Sequence, residues 1–496
     1  MLGAAHVVTD PAALRSAERA TFRTTQHIPA LLRPRNRREV AAALRVANRF
    51  AIPVHPVSCG KNWGYGSRVP VRDGCVVMEL ARMDRIVDFD EALGYVTLEP
   101  GVTFRRLHEF LRRRRSRLHA HPTGSTPDSS PLANALERGL GHGPLGDRFR
   151  GVCGLEVVLP TGEWVRTGFA RLPGAAAAAL HRWGVGPWVD GLFSQSNLGV
   201  VTRLTLWLSP IPDHGDLLAA TIGRSRDLPR AIEALRPLLL CGAIRNPVKL
   251  VNDYRALTNA TRYPRSITKG DGLLPRATVR ALQPRPFSWR LSGTLEYATA
   301  RHRAPERRLL RDALSAACTT VSFTKEAALR SRRGDGWAEL HRPSDSRDVA
   351  STYWRKRSAP PREMDPDRDG CGAIWCSPVV PMTGRHVDAA VRIVERTLSA
   401  AGFEPMITIT ALDGRSAHLV VPLLFDRSAP GDDRRTLACA ERLLSRLARR
   451  GYFPYRLGVN SMRLLPPAHG DDAAFRRRLK RALDPRQILS PGRYVG

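Results

Sequence analysis

The chain has 496 residues, 43% hydrophobic and 25% charged, enough to bury a substantial core without disulfides or metals. No apolar run approaches the ~18 uncharged residues of a transmembrane helix. Its 78 basic against 46 acidic residues give a formal charge of +32, which raises nucleic acid or an anionic surface as partners.

Residues 1–14 contain no lysine or arginine and are broken by Asp10-Pro11, unlike a signal peptide. A cytoplasmic protein with no membrane partner is expected. Residues 38–50 place Val40, Leu44, Val46 and Ala47 on one face, predicting an amphipathic helix. A strand over 52–57 and a glycine-rich turn over 58–67 follow. Residues 75–80, 86–89 and 95–98 read as strands, and 104–114 as a helix opened by Glu99-Pro100-Gly101. Another helix is expected to begin over 134–138, after the Pro/Gly/Ser stretch 122–131. Residues 155–159 and 164–167 form a hairpin around Thr161-Gly162, and 200–208 is a strand ending at Pro210.

Beyond Pro212 the helices are 228–240, 387–401 and 434–449, and the strands 374–380, 406–411 and 418–424. The polar segment 331–369 reads as a long surface loop or lid. A helix over 474–483 precedes a Pro/Gly-rich end. This pattern predicts a first domain over 1–212, a second over 213–450, and a segment 451–496 that returns to the first.

The basic excess carries little information about partners. Only six basic residues are lysines, and the runs 112–115 and 476–478 fall in helical patterns as solvated faces. No zinc-finger spacing, RNA-binding aromatic signature or helix-turn-helix accompanies them, so no specific nucleic-acid partner is expected. Eight cysteines are scattered without a CxxC pair, which predicts buried reduced thiols and no metal site.

The chemistry lies in the glycine-rich loops. Ser58, Cys59, Gly60, Lys61, Asn62, Trp63 and Gly64 directly follow a strand. Small residues let successive N–H groups converge on a phosphate, and Lys61 adds charge. The glycine placement is neither the Rossmann nor the Walker spacing. Two further loops, 121–130 and 139–146, make three in one alternating domain, and together they point to a large phosphate-bearing cofactor.

These motifs, with Arg33-Pro34-Arg35-Asn36, Glu99-Pro100-Gly101-Val102, residues 134–139, Gly146-Asp147-Arg148, residues 190–202 and residues 484–492, are in family order. Over nearly its whole length the chain resembles the vanillyl-alcohol oxidase and 4-cresol dehydrogenase flavoproteins. The resemblance implies a two-domain α+β flavoprotein, with an FAD-binding domain and an α/β cap domain. It implies that FAD is held by residues 58–64, Pro122, Thr123, Gly124, Ser129, Asn134, Gly139, Asp147, Ser194, Asn197, Gly199, Val200 and Val201. Tyr65, Tyr455 and Arg456 match the family's two tyrosines and arginine on a phenol oxygen. Two hydroxyl donors and a guanidinium favour the phenolate, whose electron release helps expel hydride from the para side-chain carbon onto flavin N5. His418 falls where members carry a histidine facing the flavin.

The chain also departs from the family. Where many members link FAD covalently through a histidine it has Ala373, so non-covalent FAD is expected. The oxidase's aspartate is replaced by Ser125, with Asp128 three residues on as a substitute base or a turn former. The expected activity is FAD-dependent oxidation of a small phenolic or benzylic molecule, with oxygen or a redox protein as electron acceptor. A homodimer is one assembly open to it. The alternatives are a tailoring flavoenzyme acting on an amine, hydroxy acid or biosynthetic intermediate, and a basic anion- or nucleic-acid-binding protein.

Overall fold

The computed structural model describes residues 2–121, 123–268, 272–325 and 347–494. The chain forms two compact units, one of residues 1–140, 147–210 and 458–496, the other of residues 141–146 and 211–457.

The first unit begins with a small sheet ordered Val7–Val8, Leu31–Leu32, Val76–Glu79, Val54–Val57, the last three parallel. The helix Arg37–Phe50 makes the crossover into Val54–Val57. Its start is fixed locally: Asn36 Oδ1 accepts from the Glu39 N–H, and Asn36 Nδ2 donates back to Glu39. Val40, Leu44 and Ala47 bury the helix against Val54, Met78, Val158 and Val200, so Leu44→Ala would cost about 2–5 kcal/mol. An antiparallel sheet follows, ordered Ile86–Asp90, Tyr95–Leu98, Val200–Trp207, Val152–Val158, Trp164–Arg166. The helix Phe104–Arg113 packs Phe104, Leu107 and Leu111 inward, capped by the Thr103 hydroxyl.

The second unit is built on an antiparallel sheet ordered Thr320–Lys325, His214–Ile222, Trp289–Tyr297, Val248–Asn252, Thr408–Ala411, Ser416–Asp426, Cys371–Cys376, with Val379–Pro381 also paired to Ser416–Asp426. Helices Leu228–Leu240, Arg303–Ser315, Gly384–Ala400 and Asp432–Ala448 bury their apolar stripes in this unit. Helix Asp253–Ala260 contributes Tyr254 and Leu257 to a cluster with Trp354, Ala373, Met406 and Leu424.

Several expectations are corrected. The helix expected over 134–138 runs Pro131–Leu136, because Ser130 caps it with Pro131 at its first position, and Arg138 at φ 50 lies beyond its end. The single strand over 374–380 is two, broken at Ser377-Pro378, since Pro378 has no N–H to offer the ladder. Within the segment read as a surface loop, residues 331–346 lie outside the described residues, and Tyr353 and Trp354 are core residues. Residues 451–457 stay with the second unit, because Tyr455 N–H donates to the Ser377 carbonyl and Val379 N–H to the Phe453 carbonyl. All eight cysteines are free; Cys241 is exposed and Cys59 half-buried, the others buried.

Candidate functional site

The loop 58–66 leaves Val54–Val57 at its C-terminal end. Gly60 and Gly64 have φ +67 and +77, conformations that cost a side-chain-bearing residue energy. Gly64 N–H donates to Thr21 Oγ1, and the Asn62 carbonyl accepts from the Tyr65 and Ser67 N–H groups. Lys61 Nζ stands 5.4 Å from the Trp63 ring centroid, with Trp63 and Tyr65 buried. Ser58 is half-buried. Cys59 Sγ points to the Pro100 and Gly101 carbonyls, and burial pushes its thiol up to about 12. Tyr65 is locked from behind: its carbonyl accepts from Val459 N–H at 2.8 Å, and a Cβ on Gly66 would lie 2.4 Å from Val459 Cγ2.

The second loop runs past His121, whose ring meets His119 edge-on at 4.1 Å and whose carbonyl accepts from the buried Arg148. Pro122 lies outside the described residues. Thr123 is buried and accepts from Asn134 Nδ2 at 3.4 Å. Ser129 Oγ donates to the Thr126 carbonyl. Gly139 is needed beside Asn134, because a Cβ there would sit 2.4 Å from the Asn134 Nδ2. Asp147 is exposed, and its carbonyl accepts from Arg150 N–H. Asp128 is held by Arg105 through two hydrogen bonds that keep its carboxyl below the usual range. That ion pair supports the turn-forming role over the base.

The segment after residue 190 is anchored within the first unit. Ser194 Oγ accepts from Arg138 and donates to the Leu136 carbonyl. Asn197 donates to the Ser490 carbonyl and accepts at its own carbonyl from Lys480. Gly199 lets the strand close, since a Cβ would meet Val157 Cγ1 at 2.4 Å, and Val200 and Val201 pair with Val158 and Val157.

The loops fit an FAD. Ser125 Oγ and Asn134 Oδ1 are buried and have no hydrogen-bond partner among the described residues, an arrangement that costs about 1–3 kcal/mol per group unless something else completes it. Gly124 faces open space where a Cβ would stand.

In the second unit, Tyr455 meets the His418 ring edge-on at 5.3 Å. Arg456 follows it in the same bend. Directly paired residues share a sheet face, so Lys249, Thr410, His418 and Val379 form one row. Lys249 Nζ donates to His142 Nε2. Trp375, opposite Pro422, lies on that same face four residues along from His418's row. Sequence reasoning missed Lys249, His142 and Trp375. A lysine at 249 among so many arginines was the available signal, but its partner lies 107 residues away.

The FAD binding domain family model matches residues 28–168. The chain is 44% identical to the 1'-carboxy-chondrochloren decarboxylase of Chondromyces crocatus, over 100% of this chain and 95% of that protein. It is 27% identical to the 4-cresol dehydrogenase [hydroxylating] flavoprotein subunit of Pseudomonas putida, over 92% of this chain and 85% of that one. The structure of p-cresol methylhydroxylase with substrate bound matches with a TM-score of 0.91 and 25% identity, covering 99% and 94% of the two chains. The chain belongs to the vanillyl-alcohol oxidase/4-cresol dehydrogenase family. This family membership makes it an FAD-dependent enzyme with a two-domain α+β fold. Among the described residues no helix is long and apolar enough to cross a membrane.

Proposed function

We propose that this family member oxidises a phenol whose para side chain carries a carboxylate, with loss of that carboxylate as CO2. The observation that carries the reading is Tyr455, followed directly by Arg456, with its ring edge-on to His418, whose sheet row also holds Lys249 and Thr410. The full-length likeness to a decarboxylase supports the second half.

FAD, when bound, supplies the two-electron acceptor for a hydride. Ser58 to Gly64, Ser125 and Asn134 are the residues proposed to hold it, without a covalent bond, since Ala373 offers only a methyl group packed in an apolar cluster. The Tyr455 hydroxyl and Arg456 guanidinium hold the phenol oxygen and favour its anion. Tyr65 carries the same role in the family resemblance. His418 fixes the Tyr455 ring. With the oxygen held as phenolate, the benzylic C–H bond breaks, hydride leaves, and a quinone methide remains. The bond from the adjacent carbon to the carboxylate then breaks. Its electron pair becomes a carbon–carbon double bond, the ring electrons return to the oxygen, and CO2 departs.

The test is anaerobic mixing of the holoenzyme with 3-(4-hydroxyphenyl)propanoate, followed by flavin bleaching and CO2 release. Tyr455→Phe and Arg456→Met are expected to slow bleaching by one to two orders of magnitude, about 1.5–3 kcal/mol, with FAD retained. Tyr65→Phe is tested the same way. Wild-type bleaching by amines or hydroxy acids but by no phenol would overturn the reading. Admitting oxygen, or a redox protein in its place, then identifies the electron acceptor.

A further inference from the structure

We infer that Arg255, placed over the Trp375 ring, binds the carboxylate of the substrate. This inference rests on the proposed phenolic acid but identifies a separate binding point. Arg255 lies in the first turn of helix Asp253–Ala260, its N–H capped by Asn252 Oδ1 at 3.0 Å. Its guanidinium carbon stands 5.9 Å from the Trp375 ring centroid. Nη1 is buried and has no hydrogen-bond partner among the described residues.

Other enclosed arginines of this unit are paired with acids. Arg276 meets Glu395 and Asp253, Arg303 and Arg307 meet Asp216, and Arg355 meets Glu404. Arg255 has no such acid among the described residues. Burial pushes it down to about 10, and no neighbouring charge opposes that effect. A buried cation without a counter-ion is costly; a planar fork of donors is well suited to an incoming carboxylate.

The placement matches the proposed chemistry. Trp375 precedes Ser377 by two residues, and the Ser377 carbonyl accepts from Tyr455 N–H. Two residues along a strand span about 7 Å, a distance in the range of a phenol ring with a short side chain. A carboxylate held there has its charge fixed until the C–C bond breaks. CO2 has no charge, so the product lacks the group that Arg255 grips.

The experiment compares Arg255→Met with wild-type holoenzyme without oxygen, for the affinity of 3-(4-hydroxyphenyl)propanoate and of 4-propylphenol from the concentration dependence of flavin bleaching, and for that of the non-reducing 3-phenylpropanoate from flavin spectral perturbation. Arg255→Met is expected to weaken the acid about 10–100-fold and the neutral phenol less than twofold, with FAD content unchanged. Without ligand it is expected to unfold at a higher temperature, because an apolar chain replaces a lone buried charge. Arg255→Lys is expected to recover part of the acid's affinity. Equal weakening of both phenols, loss of FAD, or a lower unfolding temperature with unchanged acid binding would each overturn the inference. If neither phenol binds wild type, the phenol reading falls. 3-Phenylpropanoate then decides the carboxylate point alone, through the same comparison.

Discussion

Arg105 grips Asp128 with both donors, Nε at 2.7 Å from one carboxylate oxygen and Nη2 at 3.0 Å from the other. Both side chains are about half exposed, so the pair adds little stability. That contribution is present above the carboxyl's unfolded value and is lost as pH falls through its lowered folded value. Asp128→Asn is therefore expected to change stability by at most about 1 kcal/mol and leave the flavin-reduction rate within twofold. Ser125→Ala removes a buried hydroxyl from the loop proposed to hold FAD, and is expected to slow reduction by no more than about tenfold. Rapid-mixing kinetics on both variants checks this; a hundredfold loss in Asp128→Asn would make it the base after all.

The contrast between Ser125 and Asp128 shows what a sequence can carry. Helix Arg37–Phe50 was legible because its apolar period is a local feature. Ser130-Pro131 held an equally local start signal that the Gly-rich surroundings masked. Strand His214–Ile222 was not singled out, since its run of Leu and Ala suits a helix as well, and only pairing with Trp289–Tyr297 and Thr320–Lys325 decides. The glycine loops and the Tyr455-Arg456 pair were readable as motifs. That Arg105 neutralises Asp128, or that Arg255 lacks an acid, depends on contacts between distant segments.

Acid precipitation of the purified protein is expected to leave FAD in the supernatant and a colourless pellet. Residue 373 is alanine, fully buried with Tyr254, Trp354 and Met406, so no nucleophile stands at the position that the resemblance aligns with the linking histidine. A yellow pellet would show attachment through another side chain.

His55 should make the first unit sensitive to mild acid. It is buried, with Nδ1 3.0 Å from Ser490 Oγ. Burial, followed by the charge of Arg493, depresses it to about 3 from 6.5. The unfolded chain therefore takes up a proton that the folded chain refuses between these values. The stabilisation is complete above pH 6.5 and declines as pH falls toward 3, by about 1.4 kcal/mol per unit. Between pH 7 and pH 5 the loss from this group is about 2 kcal/mol. Urea unfolding of His55→Gln at both pH values should show a drop smaller by that amount; an equal drop in variant and wild type would rule the group out.

Lys480 ties the Asn197 segment to the end of the chain. Its ammonium donates to the Asn197 carbonyl at 2.6 Å, to Asp484 Oδ2 at 2.7 Å and to the Leu489 carbonyl at 3.1 Å, using all three protons. Asp484 in turn accepts from the Ile488 and Leu489 N–H groups at 3.0 and 2.9 Å. Both side chains are buried. Lys480→Met leaves a buried carboxylate and two carbonyls short of a donor, and should cost about 3–5 kcal/mol. Because Asn197 belongs to the motif assigned to FAD, the same variant should release flavin at a lower temperature, read by the rise in flavin fluorescence. Asp484→Asn in the Lys480→Met background removes the stranded charge and keeps an acceptor oxygen for one of the two N–H groups. The double variant should therefore be more stable than Lys480→Met alone, a coupling measurable as a double-mutant cycle. If Lys480→Met unfolds and releases FAD like wild type, the node holds neither the chain end nor the cofactor loop.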